Sequence, residues 1–392
     1  MTAAPSESFP RFVRGPDTIA IYLLLALLTS GYGMIGPLMP FLRADLALSY
    51  TQGSYHSVAM SLGTTLTGFA GRQFQLVFGR RGAIGAVMLT MTVGLLFVCL
   101  AQNIAMSLAG AFLLGVSIAL AVGVAPAVMA ERHGARMGIA MAEANLVAYL
   151  GIFLVPGLVS LTDRLAGWRW SFMLPVLAYA AYWSWARRLD FGQVAISGTG
   201  ALGQRQRLPV AYWCHWGFLC LTVAAEFCMV IWGASYLENV TQLPRDQALL
   251  SSMIFPAGVI AGRFSGTILM RRFQAAQLVP GALLLAAAGL LMLLMARTPV
   301  AGMAGLFLCG FGMANCYPLG ITLAMLAAGP ATDAAAARAS LASGFASLFA
   351  PFIVGSIADR AGMAAAFAVL PLFLVAAAVL HITGLRSRKL SS

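Results

Sequence analysis

LCLTVAAEFCMVIWGASYL, residues 219–237, carries a single charge, Glu226. At 1.5 Å per helical residue, a run of this length nearly spans a hydrocarbon core of about 30 Å. A charge at the centre of such a helix costs roughly 3 kcal/mol on insertion scales and above 10 in simulation. The fold class turns on whether the rest of the chain supports a membrane setting. The function turns on what Glu226 does there.

The rest of the chain does support it. Of 392 residues, 60% are hydrophobic and 9% are charged, against about 25% charged in a soluble domain. Apolar segments recur near 18–42, 52–71, 82–101, 104–130, 137–160, 168–187, 210–237, 247–270, 277–296, 299–328, 337–357 and 363–385, which predicts twelve spans. The 41 glycines and 17 prolines are tolerated in membrane helices, where glycine permits close packing. The six cysteines lie inside apolar runs without metal-ligand spacing to histidine, so neither disulfides nor a metal site is expected, and no cofactor is predicted. The class is an all-α polytopic membrane protein.

The net charge of +12 is explained by orientation, with no need of nucleic acid. With the N-terminus inside, seventeen basic residues fall on the cytoplasmic side and six on the other, leaving Arg263 within a span. That asymmetry predicts both termini in the cytoplasm. The first apolar run, about Thr18 to Met39, is longer than a signal-peptide core, so a retained first span in a cytoplasmic (inner) membrane is expected. The longest polar break, 188–209, lies at mid-chain. It divides an N-terminal unit, 1–187, from a C-terminal unit, 210–392. Two matches suggest duplication: Gly71-Arg72 with Gly262-Arg263, offset by 191 (263 − 72), and Asp163-Arg164 with Asp359-Arg360, offset by 196 (359 − 163).

With these features the chain resembles the major facilitator superfamily of secondary transporters over essentially its whole length. The most specific marks are GPLMPFLRADL (36–46) and GWRWSF (167–172). The family's loop between spans two and three usually reads G-x-L-x-D-R-x-G-R-R. Here the aligned stretch is RQFQLVFGRR (72–81), which keeps Gly79, Arg80 and Arg81 and puts Leu76 in place of the aspartate. Arg271 and Arg272 are the corresponding basic pair of the second half, with Thr267 at the acid's place. The resemblance implies a monomer of two pseudo-symmetric six-helix bundles around a central cavity. These would rock to expose a midplane site to each side in turn, and the loop would take part in gating.

Polar residues inside spans are the candidates for chemistry. Glu226 lies about mid-bilayer in the seventh span, where a carboxyl can carry a transported proton or balance a cationic solute; a structural, hydrogen-bonded glutamate is the alternative. Glu143, near the cytoplasmic end of the fifth span, is a second candidate for proton coupling. Tyr32, Tyr149 and Trp232 offer aromatic walls, and Tyr32 stands in GYGM (31–34), which breaks the first span. Asn315 offers an amide to a solute or to another helix. Arg263 meets an anionic solute, pairs with an acid, or snorkels to the cytoplasmic surface, and its match to Arg72 favours snorkelling.

A phosphate-binding loop is absent and the histidines are scattered, so neither an ATPase nor another enzyme is expected. The predicted function is proton-coupled transport of a small organic solute. Export of cationic or amphipathic compounds is slightly favoured over uptake of a carboxylate or sugar-like solute. A membrane sensor or scaffold of the same fold is the reading from another class.

Overall fold

The computed structural model describes residues 13–192, 208–270, 272–329 and 332–391. Arg271 and positions 193–207 of the expected linker lie outside them. Among the described residues there are fourteen α-helices and no strand: α1 Pro16–Gly33, α2 Ile35–Asp45, α3 Tyr50–Cys99, α4 Ile104–His133, α5 Met137–Ala166, α6 Met173–Ala186, α7 Val210–Val240, α8 Arg245–Ser251, α9 Ile254–Leu269, α10 Ala275–Leu294, α11 Pro299–Met313, α12 Cys316–Ala328, α13 Thr332–Phe367 and α14 Leu370–Ser391.

Ten spans among the described residues are long and apolar enough to cross a membrane. The other two of the expected twelve are the second and the sixth. The second runs on into the third as the single helix α3, bent at Gly79, whose φ of 69° suits a residue without Cβ. The sixth is the short α6, preceded by a 3-10 turn at Trp168–Phe172. The first span is broken at Met34, between α1 and α2, and the tenth at Ala314 and Asn315, between α11 and α12.

Lipid gives helices no hydrophobic reason to associate, so close backbone approach must hold them together. Glycine supplies it at a fixed repeat. A Cβ on Gly63 would strike the carbonyl of Phe112, and one on Gly258 that of Phe307. Gly115 sits in the same way on Met60 and Gly310 on Phe255, Gly110 on Gly94 and Gly305 on Gly289. Every one of these pairs is offset by 195 (258 − 63, 310 − 115, 305 − 110). The caps repeat too: Asn103 and Thr298 begin α4 and α11, while Gly134 and Gly329 end α4 and α12 with positive φ. The chain is therefore two pseudo-symmetric bundles, α1–α6 and α7–α14.

This register corrects one of the matches read from sequence. At an offset of 195, Arg263 corresponds to Gly68 (263 − 195) and Arg72 to Thr267 (72 + 195). The two Gly-Arg pairs lie one helical turn out of register. Their likeness gives no reason to send Arg263 to the surface.

The two stretches most specific to the family pack on each other at the face opposite the termini. Phe41 stacks on Trp168 with ring centroids 6.1 Å apart, and Asp45 accepts a hydrogen bond from the Trp168 indole at 3.1 Å and pairs with Arg169 at 3.2 Å. At that face the two halves also meet. Asp359 of α13 accepts hydrogen bonds from the backbone N–H of Tyr50 and of Thr51, both at 2.7 Å, at the start of α3. Deeper along the same pair of helices, the Ser54 hydroxyl donates to the Pro351 carbonyl at 2.8 Å, and Ser61 meets Ser347 at 3.0 Å.

At the face carrying the termini, ion pairs join elements of the N-terminal half. Arg80 reaches Glu131 at the end of α4 at 2.5 Å and the Phe191 carbonyl at 2.7 Å; Arg81 reaches the Leu189 carbonyl at 2.9 Å. Glu131 thus gives Arg80 a carboxylate where Leu76, exposed, replaces the loop's usual acid.

Candidate functional site

Three elements from both halves converge at mid-depth. The Tyr149 hydroxyl on α5 donates to Glu226 Oε1 on α7 at 3.0 Å and accepts from Arg263 Nη2 on α9 at 3.0 Å. The Arg263 guanidinium carbon lies 4.3 Å from the Tyr149 ring centroid, within cation–π range. Arg263 is therefore directed at Tyr149, and the surface-seeking placement favoured from the sequence is not what the structure holds. Its Nε is buried without a hydrogen-bond partner. All three side chains are half-buried.

The sequence folds this way because α9 carries a small-residue stripe. Gly258, Gly262 and Gly266 press against α11 and the α11–α12 break, meeting Phe307, Phe311 and Asn315. Asn315 donates to the Gly262 carbonyl at 2.7 Å and so fixes the turn of α9 that carries Arg263. Asn315 spends that amide hydrogen on a helix rather than on a solute. Tyr32, half-buried on α1, lies in the neighbourhood of Glu226 and Arg263.

The remaining candidates stand apart. Glu143 receives Arg14 through two bonds, 2.6 and 2.8 Å, and the Tyr22 hydroxyl at 2.9 Å, which ties the start of the chain to α5. Trp232 is fully enclosed; its indole donates to the Pro351 carbonyl at 3.1 Å and its ring meets Tyr50 edge-on at 5.6 Å. It packs in the closure between the halves. Gly79, Arg80 and Arg81 form the bend and clamp described above, while Arg272 is exposed at the turn before α10. Sequence reasoning did not single out Asp359 for the junction of the halves, nor Glu131 as partner to Arg80. The signal for Glu131 was an acid beside Arg132 at the end of an apolar span.

The family model of the Major Facilitator Superfamily matches residues 21–337. The chain belongs to that superfamily. Its members are transporters, and curated relatives include an uncharacterized MFS-type transporter of Yersinia pestis, 29% identical over 167 residues, and an uncharacterized transporter of Sinorhizobium fredii, 31% identical over 150. Those matches span 41% and 38% of this chain and 42% and 40% of the relatives' own lengths, so they cover about two fifths of each protein. Solved superfamily structures share the fold across nearly the whole chain. A bacterial homologue of the human lysosomal transporter Spinster, inward-facing and occupied, superposes with a TM-score of 0.77 at 13% identity, covering 94% of this chain and 96% of that one. The Escherichia coli xylose transporter XylE, partially occluded and inward open, gives 0.73 at 15% identity, covering 92% and 95%. FucP, in the outward conformation, gives 0.64 at 16% identity, covering 94% and 98%.

In this superfamily member the Tyr149 bridge is testable without a solute. Tyr149→Phe keeps the ring and removes both hydrogen bonds. It is expected to lower stability by about 1–2 kcal/mol, and a double-mutant cycle with Glu226→Gln should give a coupling of about 1 kcal/mol. Unfolding in mixed micelles measures both, and strict additivity would show the bridge to be energetically silent.

Proposed function

We propose that the protein is a secondary active transporter of a small organic solute, coupled to protons through Glu226 and working by alternating access. The observation that carries this is the Tyr149 hydroxyl standing between Glu226 and Arg263, because it joins a proton-exchanging group of one half to the other half at mid-depth. A change in the protonation of Glu226 alters the hydrogen bond that Tyr149 donates. That couples the proton to the relative placement of α5 and α7, which belong to different bundles.

The contacts support a state open toward the face that carries the termini. Hydrogen bonds at the opposite face join the halves, whereas the Arg80–Glu131 and Arg14–Glu143 pairs join elements of one half. The higher TM-scores to the two inward structures, 0.77 and 0.73 against 0.64 for the outward one, agree with this. The seventeen-to-six distribution of basic residues supports termini on the cytoplasmic side, in keeping with a place in a cytoplasmic membrane. Arg263 beside Glu226 counts against export of cationic compounds, since a like charge in the site repels them.

The test is a reconstitution in vesicles holding a pH-sensitive dye, with small carboxylates, sugars and amphipathic cations offered under an imposed pH gradient. The wild type is expected to move protons in response to one class of solute. Glu226→Gln is expected to abolish that response while the protein remains folded. Proton movement of undiminished size in Glu226→Gln would remove the proposal.

A further inference from the structure

We propose that the solute is an organic carboxylate and that Arg263 is its anchor; the coupling of its entry to a proton rests on the reading of Glu226 given above. The guanidinium is permanently charged and presents planar, paired donors that match a carboxylate. In the structure one of its nitrogens is bonded to Tyr149, the Tyr149 ring stands against it, and Nε is buried without a partner. Donor capacity is thus left over at mid-depth, where an unmatched cation is costly. A solute carboxylate supplies what is missing.

The arrangement also makes the charges alternate. The two hydrogen bonds put Arg263 Nη2 no more than 6.0 Å (3.0 + 3.0) from Glu226 Oε1, with the Tyr149 hydroxyl in between. While Glu226 is ionised, its charge offsets Arg263 through that hydroxyl. Once Glu226 takes a proton, Arg263 loses its counter-charge and the Tyr149 O–H no longer faces an anion. The incoming carboxylate then offsets Arg263 and accepts from Tyr149. Release of the solute restores the demand for an ionised Glu226, so the proton leaves as well. One proton travelling with one monocarboxylate moves no net charge. The titratable groups around Glu226 among the described residues are Tyr149 on α5, Arg263 on α9, Tyr32 on α1, and the thiols Cys309 on α11 and Cys316 on α12. Of these, Arg263 is the cation.

The experiment uses the purified full chain and matched probes: lactate with lactamide, benzoate with benzamide, nicotinate with nicotinamide, and tetraphenylphosphonium as a cation. Binding is read by thermal shift at acid and at mildly alkaline pH. At least one carboxylate is expected to bind at least tenfold more tightly than its amide, and more tightly at acid pH. Arg263→Gln should weaken it tenfold or more, and Arg263→Lys, which keeps the charge, should retain part of it. Glu226→Gln, locked in the neutral form, should bind the carboxylate at both pH values. Binding of amides or the cation as tightly as carboxylates, no preference for any carboxylate over its amide, or undiminished binding by Arg263→Gln overturns the anchor. Failure of the proton reading looks different: carboxylate binding would still need Arg263, but it would not change with pH in the wild type.

Discussion

Gly262→Val is expected to destabilise the protein by about 3 kcal/mol and to abolish transport. A Cβ at Gly262 would collide with the carbonyl of Phe311 and lie 2.7 Å from the Ala314 Cβ and 3.0 Å from the Phe311 Cα. These are backbone atoms and a Cβ, which cannot swing aside as a long side chain does. Helix α9 must therefore retreat from α11. The retreat breaks the Asn315 bond to the Gly262 carbonyl, 2.7 Å, and carries Arg263 away from Tyr149. Fold and coupling are lost by one displacement. Gly281→Ala is the control, because a Cβ there meets no heavy atom within 4 Å. Unfolding in mixed micelles and vesicle transport measure the two consequences. A Gly262→Val protein of wild-type stability and activity would show that α9 does not depend on this contact.

Asp359→Asn is expected to open the face opposite the termini. The carboxylate of α13 reaches two backbone N–H groups at the first turn of α3, where the helix dipole adds to the attraction for an anion. Asp359 is exposed, so solvent screening limits the contribution of these charge-assisted bonds to about 1 kcal/mol. That still shifts a two-state population roughly fivefold, since about 1.4 kcal/mol is a factor of ten. The junction then rests on Ser54 with Pro351, Ser61 with Ser347, and the ring contact of Tyr50 with Trp232. Spin labels at Gln102 and Arg297, exposed loop positions offset by 195 (297 − 102) in the two halves, report the separation directly. A new long-distance population is expected in Asp359→Asn. An unchanged distance distribution would assign the carboxylate to helix capping alone.

Both substitutions act at places that the sequence made only partly legible. Glu226 stood out because a charge in an apolar run is costly wherever the run lies. Tyr149 and Arg263 stood out as well, but as separate candidates and not as its neighbours. Tyr149 is 77 residues away and Arg263 is 37 away on another helix (226 − 149, 263 − 226), and nothing local marks them as its partners. Glu143 looked similar to Glu226 by composition, yet its position near the start of α5 brings it to Arg14 and Tyr22. Trp232 had the residue type of a cavity wall and lies instead inside a packed junction.

The sequence by itself determined the class, the number of spans, the duplication and the superfamily. Hydropathy is a property of each segment taken alone, and the marks at 36–46 and 167–172 are local in the chain. The tertiary structure alone decided the register of the repeat and the company that Glu226 keeps. A match of Gly71-Arg72 to Gly262-Arg263 pairs letters, whereas Gly63 on Phe112 and Gly258 on Phe307 pair helix crossings. In lipid those crossings are set by where backbones can touch, and they fix which face of α9 turns Arg263 toward Tyr149.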